Sequence, residues 1–122
     1  MKDIIINPEA TIQEAMKKLD KTAEKCLVVV DMNEELLGTI TDGDLRRSIL
    51  AGVKFSDSIN NCYHKNCKFL LDGNYSDDDI KQLLFIEKID LIPIVNQNKK
   101  VLNYITTSYF GEIENIESNR SI

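Results

Sequence analysis

The sequence predicts an α/β fold: two copies of a strand-helix-strand-strand-helix unit related by an approximate internal two-fold. The leading observation is a repeat. Sliding the chain against itself by 65 positions brings it into register without a gap: Thr11 meets Ser76, Leu19 meets Leu84, Val30 meets Val95, Leu37 meets Leu102, Ile40 meets Ile105 and Thr41 meets Thr106. Apolar pairs coincide as well, among them Ala15/Ile80, Leu27/Ile92, Val29/Ile94, Leu36/Val101 and Leu45/Phe110. The hydrophobic period also switches in the same order in both copies, from a short apolar run to helical spacing to β-branched runs. Finally, 122 residues that are 43% hydrophobic and 29% charged make an ordinary globular composition, with room for one domain or two small repeats. Each copy alone is short of core, so the two are expected to bury their apolar faces against each other.

The first copy spans residues 1–53, a polar connector 54–66, the second copy 67–111 and a polar tail 112–122. Ile4-Ile5-Ile6 and Phe69-Leu70-Leu71 read as short buried strands. Helix starts follow at Thr11-x-x-Glu14 and Ser76-x-x-Asp79, where side-chain acceptors and backbone donors can satisfy one another. Ile12, Ala15, Met16 and Leu19 recur at helical spacing, as do Ile80, Leu83 and Leu84, with Ile86 less regular. Two β-branched runs come next, Cys26 to Val30 and Leu36 to Thr41, joined by a polar hairpin turn over 31–35; the second copy repeats this with Leu91 to Val95, a turn over 96–100, and Val101 to Thr106. A second helix runs from Asp44 to Ala51 and stops at Gly52, suited to a left-handed cap. The connector is expected to hold one helical turn around Asp57 to Asn61, and the tail from Glu112 to fray.

Charge and cysteine content narrow the function classes. Lys+Arg 15 against Asp+Glu 20 gives net −5, which argues against a nucleic-acid binder with a basic footprint. No apolar run approaches the ~18 residues needed to span a bilayer. The N-terminus lacks the features of a signal peptide, and three cysteines do not form a disulfide framework, so a cytoplasmic location is expected.

The most informative stretch is Gly38-Thr39-Ile40-Thr41-Asp42-Gly43-Asp44-Leu45-Arg46-Arg47, where a strand ends and a helix begins. Unpaired N–H groups at a helix start attract anions, phosphate above all. Thr41 adds a hydroxyl, and Asp44 offers a carboxylate able to accept from both hydroxyls of a ribose. Arg46 and Arg47 can grip phosphate if either turns back, and Gly43 allows close approach to the backbone. The plainer reading is that Thr41 and Asp44 only cap the helix while the arginines are solvated.

These residues resemble a family. The duplicated unit, the Gly-x-x-Thr-x-x-Asp turn over Gly38 to Asp44, and Ile92-Pro93-Ile94-Val95 together resemble a cystathionine-β-synthase (CBS) domain pair, also called a Bateman module, across about Asp3 to Phe110. The resemblance implies a regulatory, non-catalytic module that binds AMP, ADP, ATP or another adenosyl compound, normally as a homodimer attached to an enzyme or channel. It also implies crosswise clefts. One would join Thr39, Thr41, Asp42 and Asp44 to Lys68, Phe69, Ile89, Asp90 and Pro93, with Ile89 and Pro93 flanking adenine and the backbone near Asp90 reading its edge. The other, with Ile4, Ile5, Cys26 and Leu27, departs from the pattern: Asn103 replaces Gly38 and Tyr109 replaces Asp44, so one nucleotide per chain is expected. The wording Thr41 to Arg47 looks like CBS pairs of sugar-phosphate enzymes. A sugar nucleotidyltransferase is the preferred parent because the first copy begins at Met1; a sugar-phosphate isomerase is the alternative, as is a dimerisation module with a decayed site.

Other signals carry less. Asp42-x-Asp44 resembles a metal-holding acidic pair, the mark of a small metal-dependent enzyme, yet no further carboxylates, general base or phosphate-binding lysine loop accompany it. Cys62, His64 and Cys67 lack a paired Cys-x-x-Cys and a fourth ligand for zinc, so no metal is expected; His64 reads as a solvated connector residue. Asp77-Asp78-Asp79 fits first-turn helix acids rather than a calcium loop.

Overall fold

The computed structural model describes residues 3–108. The first copy comprises β1 (Ile5–Ile6), α1 (Ile12–Thr22), β2 (Cys26–Val30), β3 (Leu36–Thr41) and α2 (Asp42–Leu50). The second comprises β4 (Leu70–Leu71), α3 (Asp77–Lys81) running into a π-helical turn (Gln82–Ile86), β5 (Leu91–Val95) and β6 (Val101–Thr106). Each copy forms a three-stranded sheet, β1-β2-β3 or β4-β5-β6. The first strand lies parallel to the second, and the second antiparallel to the third.

The duplication is written into the backbone. Among the described residues, the non-glycine positions with left-handed φ fall into two pairs spaced 65 apart: Ala23 (59°) with Lys88 (56°), and Glu34 (64°) with Lys99 (63°). Both hairpins bulge at matching places, Val29/Val30 and Ile94/Val95. Both turns are closed the same way, because Asp31 and Asn96 each accept two backbone N–H bonds through Oδ1. The pseudo-two-fold passes where the hairpins meet. Leu36 N–H donates to Lys99 O (2.8 Å) and Val101 N–H donates to Glu34 O (3.1 Å), and a 65-residue shift exchanges the two bonds.

All five residues of β2 are buried, and with Ile4, Ile12, Ile40 and Leu45 they form the main core. Leu91, Val95 and Val101 of the second copy belong to that same cluster, so the copies share one interior. A smaller cluster of Ile80, Leu83, Leu84, Ile92, Ile94 and Ile105 lies under α3. Thus β5 divides its side chains, odd positions toward the joint core and even positions toward its own helix, as the two-residue period of a strand dictates. Each fully buried aliphatic side chain contributes about 1.5–3 kcal/mol relative to exposure.

Several expectations shift. The helix-start pattern Ser76/Asp79 closes a reciprocal capping box, whereas Thr11 accepts from Glu14 N–H without the return bond. The connector lies against the start of α1, with Ile12 N–H donating to Asp57 O (2.9 Å), Gln13 N–H to Phe55 O (3.1 Å) and Ile59 N–H to Ala10 O (2.9 Å). Those carbonyls and N–H groups are then committed between segments, so residues 57–61 form turns rather than the expected helical turn, and Ile59 is fully buried. Helix α2 starts two residues earlier than the pattern indicates, at Asp42. In the second copy Leu83 and Leu84 are both buried, and the helix widens so that Glu87 N–H donates to Gln82 O; Ile86, the irregular member of the apolar pattern, is left 69% exposed. Gly52 takes φ 104° just past α2, as expected of a cap. The second copy's second helix near Phe110 and the 112–122 tail lie outside the described residues.

Candidate functional site

Strand β3 runs directly into α2, and Thr41 is both the last strand residue and the helix N-cap. Thr41 Oγ1 accepts from Asp44 N–H (3.0 Å), and Asp44 Oδ2 accepts from Thr41 N–H (2.9 Å), a complete capping box. The other oxygen, Oδ1, accepts from Arg47 (2.7 Å). An ionised carboxylate has about four lone-pair sites, so two remain for an incoming diol. The Asp44 side chain is 21% exposed and that exposed part faces a hollow. The plainer reading of this corner is therefore true and incomplete: Asp44 caps the helix and also forms the wall of a cavity.

That cavity measures about 280 Å³ and is built by both copies. Thr39, Thr41, Asp44 and Arg47 come from the first copy, Cys67, Lys68, Ile89, Asp90 and Leu91 from the second, with His64 from the connector. The connector is held there by a two-way bridge: Thr39 N–H donates to His64 O (3.0 Å) and His64 N–H to Thr39 O (2.8 Å). Gly38 permits the approach, since a Cβ on it would stand 2.1 Å from His64 O. Gly43 has a local role, because Arg47 folds back over it with its guanidinium 3.2 Å from where a Cβ would sit.

Six of the nine residues proposed from the sequence line this cavity: Thr39, Thr41, Asp44, Lys68, Ile89 and Asp90. Three do not. Asp42 is exposed and paired with Arg46 (2.6 Å) in solvent. Phe69 lines a neighbouring hollow instead. Pro93 is fully buried in β5 and is not among the residues lining this cavity. Cys26 also moves: expected at the second cleft, it lines this one, because the β2–β3 register sets it opposite Thr41. Counting pairs outward from the 31–35 turn would have set it opposite Ile40; the bulge at Val29/Val30 moves it one residue on, to Thr41. Lys88 was missed, although it immediately precedes two of the expected contacts. Tyr109, the second-copy counterpart of Asp44, lies outside the described residues.

Two cysteines, Cys26 and Cys67, line the cavity. Burial pushes the Cys26 thiol up to about 12, helped by the Asp90 and Asp44 carboxylates and opposed by a hydrogen bond with Thr39. Burial raises Cys67 as well, with Lys99 opposing. Both thiols therefore stay protonated at neutral pH and present a soft, uncharged surface. Among the described residues no three His, Cys, Asp or Glu side chains are arranged to hold a metal ion, and no helix is long and apolar enough to cross a membrane. A larger hollow of about 540 Å³ lies beside α1, lined only by first-copy residues including Lys17, Lys18 and Lys21.

A family model described as "CBS domain" matches residues 1–51. The chain is 29% identical over 101 residues to the arabinose 5-phosphate isomerase GutQ of Escherichia coli K12, covering 83% of this chain and 31% of that protein. It is 28% identical over 112 residues to the inosine-5'-monophosphate dehydrogenase of Bifidobacterium longum, covering 91% of this chain and 20% of that one. The chain thus spans less than a third of the length of these relatives. Among solved structures, the CBS domain pair of protein MJ0100 in complex with 5'-methylthioadenosine and S-adenosyl-L-methionine superposes with a TM-score of 0.80 at 20% identity, over 96% of this chain and 91% of that one. CBSX2 in complex with AMP superposes with a TM-score of 0.79 at 18% identity, over 93% and 88%. The CBS domain model thus covers the first copy, and the chain as a whole has the two-copy α/β fold of a CBS domain pair.

Proposed function

We propose that this chain is a regulatory, non-catalytic module that binds one adenosine nucleotide in the cavity between its two copies. The observation that carries this reading is Asp44: a carboxylate held by its own helix cap, with two lone-pair sites left over, on the wall of a cavity that both copies build. Its spare sites suit the ribose hydroxyls. The start of α2, Thr41 and Arg47 suit the phosphate. Ile89 and the backbone near Asp90 suit the base, with Lys68 beside them; Thr39 closes the side next to the cysteines. Support also comes from the AMP and S-adenosylmethionine complexes whose folds this chain shares. The cavity spans the junction, so a bound nucleotide has differential affinity for alternative placements of the copies, which is what a ligand needs in order to shift a conformation.

The module is proposed to act in the cytoplasm as a homodimer, through the outer faces of α1 and α2 where Met16 and Leu50 are exposed. It is proposed to be fused to a sugar-phosphate isomerase. The match to arabinose 5-phosphate isomerases favours that parent over the nucleotidyltransferase preferred from the position of the first copy alone.

Calorimetry of the chain against AMP, ADP, ATP and S-adenosylmethionine tests the central claim. At 100 times the dissociation constant, a binder should stabilise the fold by about 2.7 kcal/mol. Asp44→Ala should abolish that gain, measured against the variant's own ligand-free stability since the cap is lost too. A dimer that responds to no adenosyl compound would instead identify a purely structural module.

A further inference from the structure

We propose that a second hollow, separate from the nucleotide cavity, binds a small phosphomonoester. It measures about 300 Å³ and takes side chains from three places: Leu36 and Leu37 of β3, Lys65, Lys68 and Phe69 around the start of β4, and Lys99 of the β5–β6 turn. Three lysines line it and no acidic residue does, in a chain whose net charge is −5. Among the described residues none of the three lysines forms an ion pair. Lys99 Nζ instead stands 5.2 Å over the Phe69 ring and Lys65 Nζ 5.8 Å over Tyr63, which orients both cations without neutralising them.

The internal repeat supplies the control. A shift of 65 residues turns Lys68 into Asp3 and Lys99 into Glu34, with Glu34 and Lys99 sharing the same left-handed backbone. Both acids are paired, Asp3 with Lys18 (3.2 Å) and Glu34 with Lys100 (3.4 Å). The fold therefore accepts either charge at these positions, and neither position requires lysine for packing. Unpaired positive charge concentrated on one side of the pseudo-two-fold suits an anion. The volume is about tenfold the ~30 Å³ share of one water molecule, leaving room beyond a phosphate group. The apolar floor of Leu36, Leu37 and Phe69 suits the carbon body of an ester. This site does not rest on the nucleotide reading, though the two hollows share Cys67 and Lys68 as a wall.

The test is an amide NMR titration of the 122-residue chain with ribose 5-phosphate, inorganic phosphate and ribose. Ribose 5-phosphate should give saturable shifts centred on Lys65 to Phe69 and Lys99, weakening as salt rises. Phosphate should bind the same amides more weakly, and ribose should leave them unmoved. Lys65→Ala with Lys99→Ala should weaken the ester about tenfold, and Lys65→Arg with Lys99→Arg should largely restore it. AMP titrated into the alanine double variant should still shift Thr41 and Asp44, which separates this proposal from the nucleotide one and verifies the fold. Shifts confined to Thr41 and Asp44, no saturable response, or equal affinity in the alanine variant would each overturn it.

Discussion

Gly38→Ala should destabilise the protein by about 2–6 kcal/mol, an unusual cost for adding one methyl group. The new Cβ would stand 2.1 Å from His64 O and 2.8 Å from Tyr63 Cδ2, where ordinary contacts begin near 3.4 Å. The first of these neighbours is backbone and cannot rotate aside, so the connector must retreat from β3 by more than an ångström. Retreat breaks both Thr39–His64 bonds, each with a net value of about 0.5–1.5 kcal/mol. Residual overpacking adds about 1–3 kcal/mol. For a chain of this size that corresponds to a fall in Tm of at least about 8 °C. Urea denaturation followed by circular dichroism measures it, with Asn103→Ala as a control, because Asn103 occupies the matching position of the second copy with an exposed side chain and should cost less than about 1 kcal/mol. Nucleotide affinity should fall in the same variant, since His64 and Cys67 line the cavity. A Gly38→Ala protein within about 0.5 kcal/mol of the parent would refute the reasoning, since it would mean the connector is not docked on β3.

Other consequences are cheaper to check. Ser76→Ala removes one half of a capping box and should cost about 1 kcal/mol by chemical denaturation, with no effect on the nucleotide cavity. Ile40→Ala, at a fully buried position, should cost about 2–5 kcal/mol, whereas Met32→Ala, at a side chain 92% exposed, should stay within about 0.5 kcal/mol. Cys26 predicts a pH dependence. The unfolded thiol releases its proton near the ordinary value of 9.0, while the folded one holds it to about 12. Between those values the unfolded chain binds fewer protons, so this contribution is complete below pH 9 and is lost as pH rises, with a slope of up to about 1.4 kcal/mol per pH unit. Stability measured from pH 8 to 11 should fall less steeply in Cys26→Ala than in the parent.

Much of the architecture was readable before any coordinates. The 65-residue repeat, the hairpins and the cap signals are local features. Whether Ser76 and Asp79 can exchange bonds, or whether Asp31 can close a turn, depends on residues two to four positions away. The joint core was also foreseeable, because neither copy has enough apolar surface to fold around alone. The strand-to-helix corner at Thr41 and Asp44 was legible for the same reason: its chemistry is complete within four residues.

Packing between distant segments settled the rest. Pro93 sits in a strand motif that points to the ligand, yet it is fully buried in β5 and does not line the cavity. Phe69 and Lys68 are neighbours in the chain, but Phe69 lines only the lysine-rich hollow while Lys68 lines both. Residues 57–61 form turns rather than a helical turn because Asp57 O and Ile59 N–H bond to the start of α1 some 45 residues away, and Asp, Ser and Asn favour such turns. Periodicity records which side of an element is apolar, and capping records where it starts. Neither records the separation of two elements or what fills the gap, because that free energy belongs to contacts between residues far apart in sequence.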